Sequence, residues 1–183
     1  MENPKGLELM KQRAAAVQTV VTEVENMKEA LEYVIDLTKK QGGSSIAAPK
    51  LGKSSKNLAT LCEKNGLKLL TENLRDHIGQ IHTGFTTADW GIAETATLVV
   101  DSSAEDLRIA TMLSETHVAV LPKSRIVPDA TALEAELTKI FKKAPGYLAF
   151  ISGASRTADI ERVLTIGVHG PQELHLLIMK EDK

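Results

Sequence analysis

Three features of the 183-residue chain predict an α/β fold, a mostly parallel twisted sheet flanked by helices. Apolar runs of strand length alternate with amphipathic helical patterns from Gly43 onward. Gly66 and Ala144-Pro145-Gly146 close two of those patterns. A leading stretch without Gly or Pro, residues 7–40, carries an apolar stripe at helical spacing. The length fits one domain, 1–183, with residues 1–42 as an N-terminal helical arm.

In that arm Val17, Val20, Val24, Met27, Leu31 and Val34 are spaced 3-4-3-4-3, so residues 7–40 read as one long helix stopped by Gly42-Gly43. At ~50 Å it exceeds what a small domain covers. It either packs on another chain, giving a homo-oligomer through the helix, or folds back over its own core. Residues 45–49 read as a weak strand and 67–70 as a short one. Residues 54–64 between them read as a helix with Leu58, Leu61 and Cys62 on one face. Residues 95–101 form a strong strand pattern. Ser102 and Glu105 make a capping-box pattern before a helix to Ser114. Residues 117–121 are the next strand. Thr131 and Glu134 open a helix whose face is Leu133, Leu137, Ile140 and Phe141. Residues 147–151 read as strand, 157–164 as helix and 174–179 as the last strand.

Composition narrows the function. Lys+Arg 22 against Asp+Glu 24 leaves net −2, with no basic excess to neutralise a phosphate backbone, so nucleic acid is not an expected partner. No apolar run approaches the ~20 residues of a membrane helix. Residues 1–5 lack the apolar core of a signal peptide, and a cytoplasmic protein without a membrane span is expected. One cysteine, Cys62, cannot supply the thiolates of an iron–sulfur cluster, so no cofactor is expected in this chain. The dinucleotide fingerprint is absent. Residues 47–54 mimic a phosphate-binding loop poorly, because Pro49 removes an N–H. His77, His82, His117, His169 and His175 show no zinc-ligand spacing.

Ligands of open α/β sheets sit beyond strand ends, which directs the search to loops. Residues 83–95 combine hydroxyls, two carboxylates, two glycines and the only Trp, with Glu94 a candidate base. Residues 151–159 hold Ser152, Gly153, Ser155, Arg156 and Thr157. A helix starting at Ser155, with Arg156 beside its free N–H groups, would receive a small anion; simple helix capping explains the same residues. Gly167-Val168-His169-Gly170-Pro171 presents His169 on a tight turn as acid, base or donor, and a structural loop histidine is the alternative.

These blocks resemble the lactate-utilisation protein C family, the single-domain branch of the LUD domain. The resemblance rests on Gly84 with Thr87-Ala88-Asp89, on Ile92-Ala93-Glu94-Thr95 with Thr97, and on His117-Val118-Ala119-Val120. Ile126-Val127-Pro128-Asp129, Ile151-Ser152-Gly153, residues 155–161, and residues 167–171 with Glu173-Leu174-His175 extend it from Gly84 to Met179. Ala96 departs from the family's usual Gly, so the backbone there need not take a positive φ. The resemblance implies a fold similar to the ribose-phosphate isomerase and coenzyme A transferase group. It also implies a part in bacterial oxidation of lactate to pyruvate beside two iron–sulfur partner proteins, which would carry the clusters. The chain would then be a cluster-free subunit of a non-NAD lactate dehydrogenase complex that binds a small carboxylate. A non-catalytic assembly or regulatory subunit, and an independent acyl or phosphosugar enzyme using Glu94, are the alternatives.

Overall fold

The near-continuous apolar runs at residues 117–121 and 174–179 suit strands covered on both faces, as a parallel sheet requires. A computed structural model, describing residues 4–143, 146–159 and 161–180, places them at the centre of such a sheet. The first half of the chain runs α1 (Pro4–Ala16), β1 (Thr19–Val24), α2 (Met27–Lys40), β2 (Ser45–Ala47), α3 (Ser55–Lys64), β3 (Lys68–Leu70) and β4 (Thr83–Thr87). It continues with β5 (Trp90–Ile92), β6 (Thr97–Asp101), α4 (Glu105–Met112), β7 (Thr116–Pro122) and β8 (Ile126–Val127). α5 (Glu134–Lys143), β9 (Leu148–Ile151), β10 (Arg156–Thr157), β11 (Thr165–Ile166) and β12 (Glu173–Met179) complete it.

Six strands in the order β1-β12-β7-β4-β2-β3 form the main sheet, and every neighbouring pair is parallel. A second sheet, β8-β5-β6-β9, is mixed, and β10 and β11 pair as a small antiparallel ladder. One face of the main sheet packs Phe85, Val118, Val120 and Leu177 against Leu31, Val34 and Ile35 of α2 and Leu58 and Cys62 of α3. On the other face, Leu7, Met10 and Ala14 of α1 lie in one cluster with Leu174, Leu176 and Ile178 of β12 and Leu98 and Val100 of β6. At β4, a Cβ on Gly84 would come within 1.9 Å of the Ala110 carbonyl, so only glycine lets α4 lie this close.

The N-terminal arm is a correction. Residues 7–40 are not one helix: Gln18, at φ +58, ends α1, and β1 becomes the edge strand beside β12. The β-branched run Thr19-Val20-Val21-Thr22 prefers extended backbone, and pairing with β12 realises it. Asn26 then caps α2 through a bond from the Glu29 N–H, while the Glu29 carboxylate returns to the Glu25 N–H. α1 and α2 each bury a face in the core, on opposite sides of the main sheet. The described residues of 157–164, which exclude 160, also form no helix. Arg156 and Thr157 pair with Ile166 and Thr165 instead. Ser102 makes no capping box; α4 begins at Glu105 with Ala104 as cap, and the Ser102 hydroxyl bonds the Tyr147 carbonyl. Residues 83–95, read as loop, contain β4 and β5.

Candidate functional site

The hydroxyl-rich blocks converge because β6 and β9 are antiparallel neighbours. Their register sets Leu98 opposite Ile151, which brings the start of β6 to the end of β9. A short 3-10 turn, Ala93–Thr95, leads into β6, and Ala96 closes it in the left-handed region at φ 50. The alanine therefore does take the positive φ that its identity argued against. In consequence the Thr95 and Thr97 hydroxyls meet at 2.6 Å, and Thr97 meets the Ser152 hydroxyl at 2.6 Å. Glu94 is exposed on the same turn, its backbone N–H donating to the Pro128 carbonyl.

Beyond Ser152 the chain turns at Gly153, whose φ is +76 and whose added Cβ would meet the Val17 carbonyl at 2.3 Å. Arg156 is exposed, and one guanidinium nitrogen reaches back to the Ser152 carbonyl at 3.4 Å. With no helix after Ser155, the helix-terminus half of the anion receptor is absent. What remains is a guanidinium on the Ser152 carbonyl and a chain of three hydroxyls whose two mutual bonds leave one O–H proton free to donate. Thr157 is half-buried, its hydroxyl accepting from the Asp159 N–H.

The third block joins through backbone bonds. Ser155 donates to the Pro171 carbonyl and accepts from the Gly167 N–H, both at 2.9 Å, and Gly170 packs against the Ser155 side chain. His169 is exposed and lines a cleft of about 450 Å³ with Met112, Leu113, Glu115, Val168 and Gln172. These residues precede β7 and β12, so the cleft lies at the amino edge of the parallel sheet.

A smaller cleft at the carboxyl edge, about 240 Å³, is lined by Met27, Thr87, Ala88, Asp89, Pro122, Arg125 and Met179. Arg125 and Met27 carried no motif that could have singled them out. Asp89 serves the framework here, its carboxylate accepting from the Asp101 N–H at 2.6 Å. The Asp101 carboxyl is in turn held below its usual range by the Ser103 hydroxyl and N–H.

Buried polar groups complete the electrostatics. His117 is fully buried, and burial lowers its pKa to about 4; Nε2 bonds the Thr86 hydroxyl at 2.8 Å. His175 bridges the Tyr33 hydroxyl and the Glu173 carboxylate, each at 2.8 Å, and so ties α2 to β12. Burial raises the Cys62 thiol to about 11, which leaves it protonated and unreactive near neutrality. Among the described residues, no three His, Cys, Asp or Glu side chains gather as a metal cage, and no helix is long and apolar enough to cross a membrane.

A DUF162 family protein from Deinococcus radiodurans has a similar fold in its crystal structure, at a TM-score of 0.63 and 17% identity over 96% of both chains. Lactate utilization protein C of Geobacillus kaustophilus (strain HTA426) is 34% identical over 109 residues, 58% of this chain and 45% of that protein. The same-named protein of Anoxybacillus flavithermus (strain DSM 21510 / WK1) is 28% identical over 181 residues, 96% of this chain and 80% of that protein. The chain spans about half the length of the Geobacillus relative it matches. The sequence model of the LUD domain matches residues 7–179, from α1 through the hydroxyl row to the end of β12, and by that match the chain belongs to the LUD domain family.

Proposed function

We propose that this chain is the cluster-free component of a bacterial lactate-oxidising system, and that its hydroxyl–guanidinium surface receives a small carboxylate such as lactate or pyruvate. The observation that carries the reading is the row Thr95–Thr97–Ser152 with Arg156 beside it, in a chain whose relatives are named for lactate utilisation. Arg156 offers a planar fork to the carboxylate, and the hydroxyl row offers the one proton not used within it, with acceptor lone pairs for the α-hydroxyl of lactate. Glu94 and His169 are the candidate acid–base groups. A lone buried cysteine with a raised pKa supports placing the clusters on two iron–sulfur partner proteins in the cytoplasm. The parallel sheet supports kinship with the ribose-phosphate isomerase and coenzyme A transferase group.

A subunit that only assembles the system is the second reading. It is favoured by exposed Val163, Leu164, Ile166 and Val168 beside the same surface. Replacing Arg156 and His169 separately in the native host distinguishes the two. The carboxylate reading expects lactate-dependent growth to fail while the partners still co-purify. Loss of the complex together with growth supports assembly, and normal growth of both variants overturns the carboxylate site.

A further inference from the structure

The carboxyl edge of the main sheet holds a crevice apart from the hydroxyl row, the cleft of about 240 Å³. Thr87, Pro122 and Met179, the last residues of β4, β7 and β12, line it together with Met27, the first residue of α2. The chain leaves these strand ends toward opposite faces. From β1 it enters α2, which packs on the Phe85 and Leu177 face. From β4 and β7 it continues to Ala88 and Ile126, which pack with Leu174 and Ile178 on the other face. An open α/β sheet binds ligands beyond its carboxyl ends, in the crevice where its connections diverge. Nearby acids have partners: Glu23 pairs with Lys11, Glu25 with Lys180, and the Asp101 carboxylate accepts from Ser103. Arg125 differs. It stands exposed on the turn Lys123–Arg125 after β7, and among the described residues its guanidinium has no partner. Asp89 lines the same crevice without forming an ion pair with Arg125. It accepts from the Asp101 N–H and keeps lone pairs beyond that bond. Ala88, Val120 and the two methionines make the rest of the wall apolar.

We propose that this crevice binds a small zwitterion, an α-amino acid with an apolar side chain. The ligand carboxylate meets the Arg125 guanidinium, its ammonium meets the Asp89 carboxylate, and its side chain lies on Met27 and Met179. Opposite charges that share a crevice without pairing select a ligand that carries both. A simple anion would satisfy Arg125 but bring its charge beside Asp89, and a simple cation would do the converse. The unbranched methionine side chains adapt to an apolar group of either shape, branched or straight. The volume lies below the ~300–1,000 Å³ of pockets that take drug-sized ligands, which suits a single amino acid. The crevice is at the edge opposite the His169 cleft, and the inference does not depend on the lactate reading.

The methionines supply the reporters. Met27 and Met179 line this crevice, Met112 lines the His169 cleft, and Met10 is buried. Methyl NMR of the methionine-labelled full chain is followed during titration with L-leucine, with isocaproate, which lacks the ammonium, and with isoamylamine, which lacks the carboxylate. The expected result is saturable shifts at Met27 and Met179 with L-leucine and none at Met10 or Met112. Each single-charge analogue binds about tenfold more weakly or worse. Arg125→Gln weakens L-leucine and isocaproate but not isoamylamine. Asp89→Asn, whose amide oxygen still accepts from the Asp101 N–H, weakens L-leucine and isoamylamine but not isocaproate. The analogue series reads the same two charges without any substitution. Absence of saturable shifts at Met27 and Met179 with L-leucine overturns the proposal. So does isocaproate binding as tightly as L-leucine, which marks a plain anion site, a shift confined to Met112, or full L-leucine affinity in Arg125→Gln.

Discussion

Residues 4–42 and residues 146–171 invite the same misreading and have opposite fates. The first carries apolar residues at a spacing that passes for one helix, the second reads as a strand followed by a helix at 157–164, and each holds strand where helix is expected. In the first segment the apolar residues are absorbed: Met10 and Ala14 of α1 lie between the sheets, and Ala30 and Val34 of α2 pack in the core on the other face of the main sheet. In the second, Val163, Leu164, Ile166 and Val168 face outward, and the hydroxyls and Arg156 stand beside them. An apolar stripe therefore says that a segment needs a partner surface, not whether its own chain supplies it. Here the N-terminal segment is scaffold, and the later segment leaves polar and apolar side chains exposed side by side.

Deleting residues through Gly42 tests the scaffold half most severely. It strips an edge strand from β12 and a helix from each face of the sheet, so the remainder is expected to lose its cooperative thermal transition. A truncated chain that melts cooperatively would restore the arm. Gly153→Ala probes the point where the two regions touch, since its Cβ collides with the Val17 carbonyl at a positive φ. Chemical denaturation should show a loss of about 2–4 kcal/mol; a loss under 1 kcal/mol would mean the contact is loose.

His117 reads the sheet on which both regions rest. Its folded pKa is about 4 against an ordinary 6.5, so between those values the unfolded chain takes up a proton that the folded chain refuses. The His117 contribution is therefore constant above about 6.5 and falls as pH drops toward 4, by about 3 kcal/mol in all. His117→Gln should flatten that slope; an unchanged slope would assign it to other groups. The smallest effect is expected from Ala96→Gly, which relieves a left-handed alanine and should raise stability by about 0.5–1 kcal/mol in the same denaturation assay. A destabilised variant would show that the Ala96 methyl contributes more to packing than its backbone costs.

The central strands were legible because β7 and β12 are apolar on both faces, which period and composition both register. β1 was hidden because Val17, Val20 and Val24 fit a helical spacing by coincidence. Its visible signals were the Thr19–Thr22 β-branched run and the Asn26–Glu29 capping pair. β10 and β11 were hidden by their length, two residues each, far below what a pattern can report. Of the site, the blocks were legible as clusters of hydroxyls and glycines. The Thr97–Ser152 contact was not, because it depends on a β6–β9 register that no single segment encodes. Asp89 shows the converse: a loop carboxylate that looked functional bonds the Asp101 N–H and holds two strand ends together.

The proposed role of Arg156 is that of a carboxylate receptor on an otherwise independent scaffold. Calorimetric titration of the purified chain with pyruvate and with lactate, wild type beside Arg156→Lys, measures this directly. The predicted result is saturable binding by wild type, weakened about tenfold or more in Arg156→Lys at an unchanged melting temperature, because lysine keeps the charge and loses the fork. Equal affinities in the two proteins, or no saturable carboxylate binding by wild type, would contradict it.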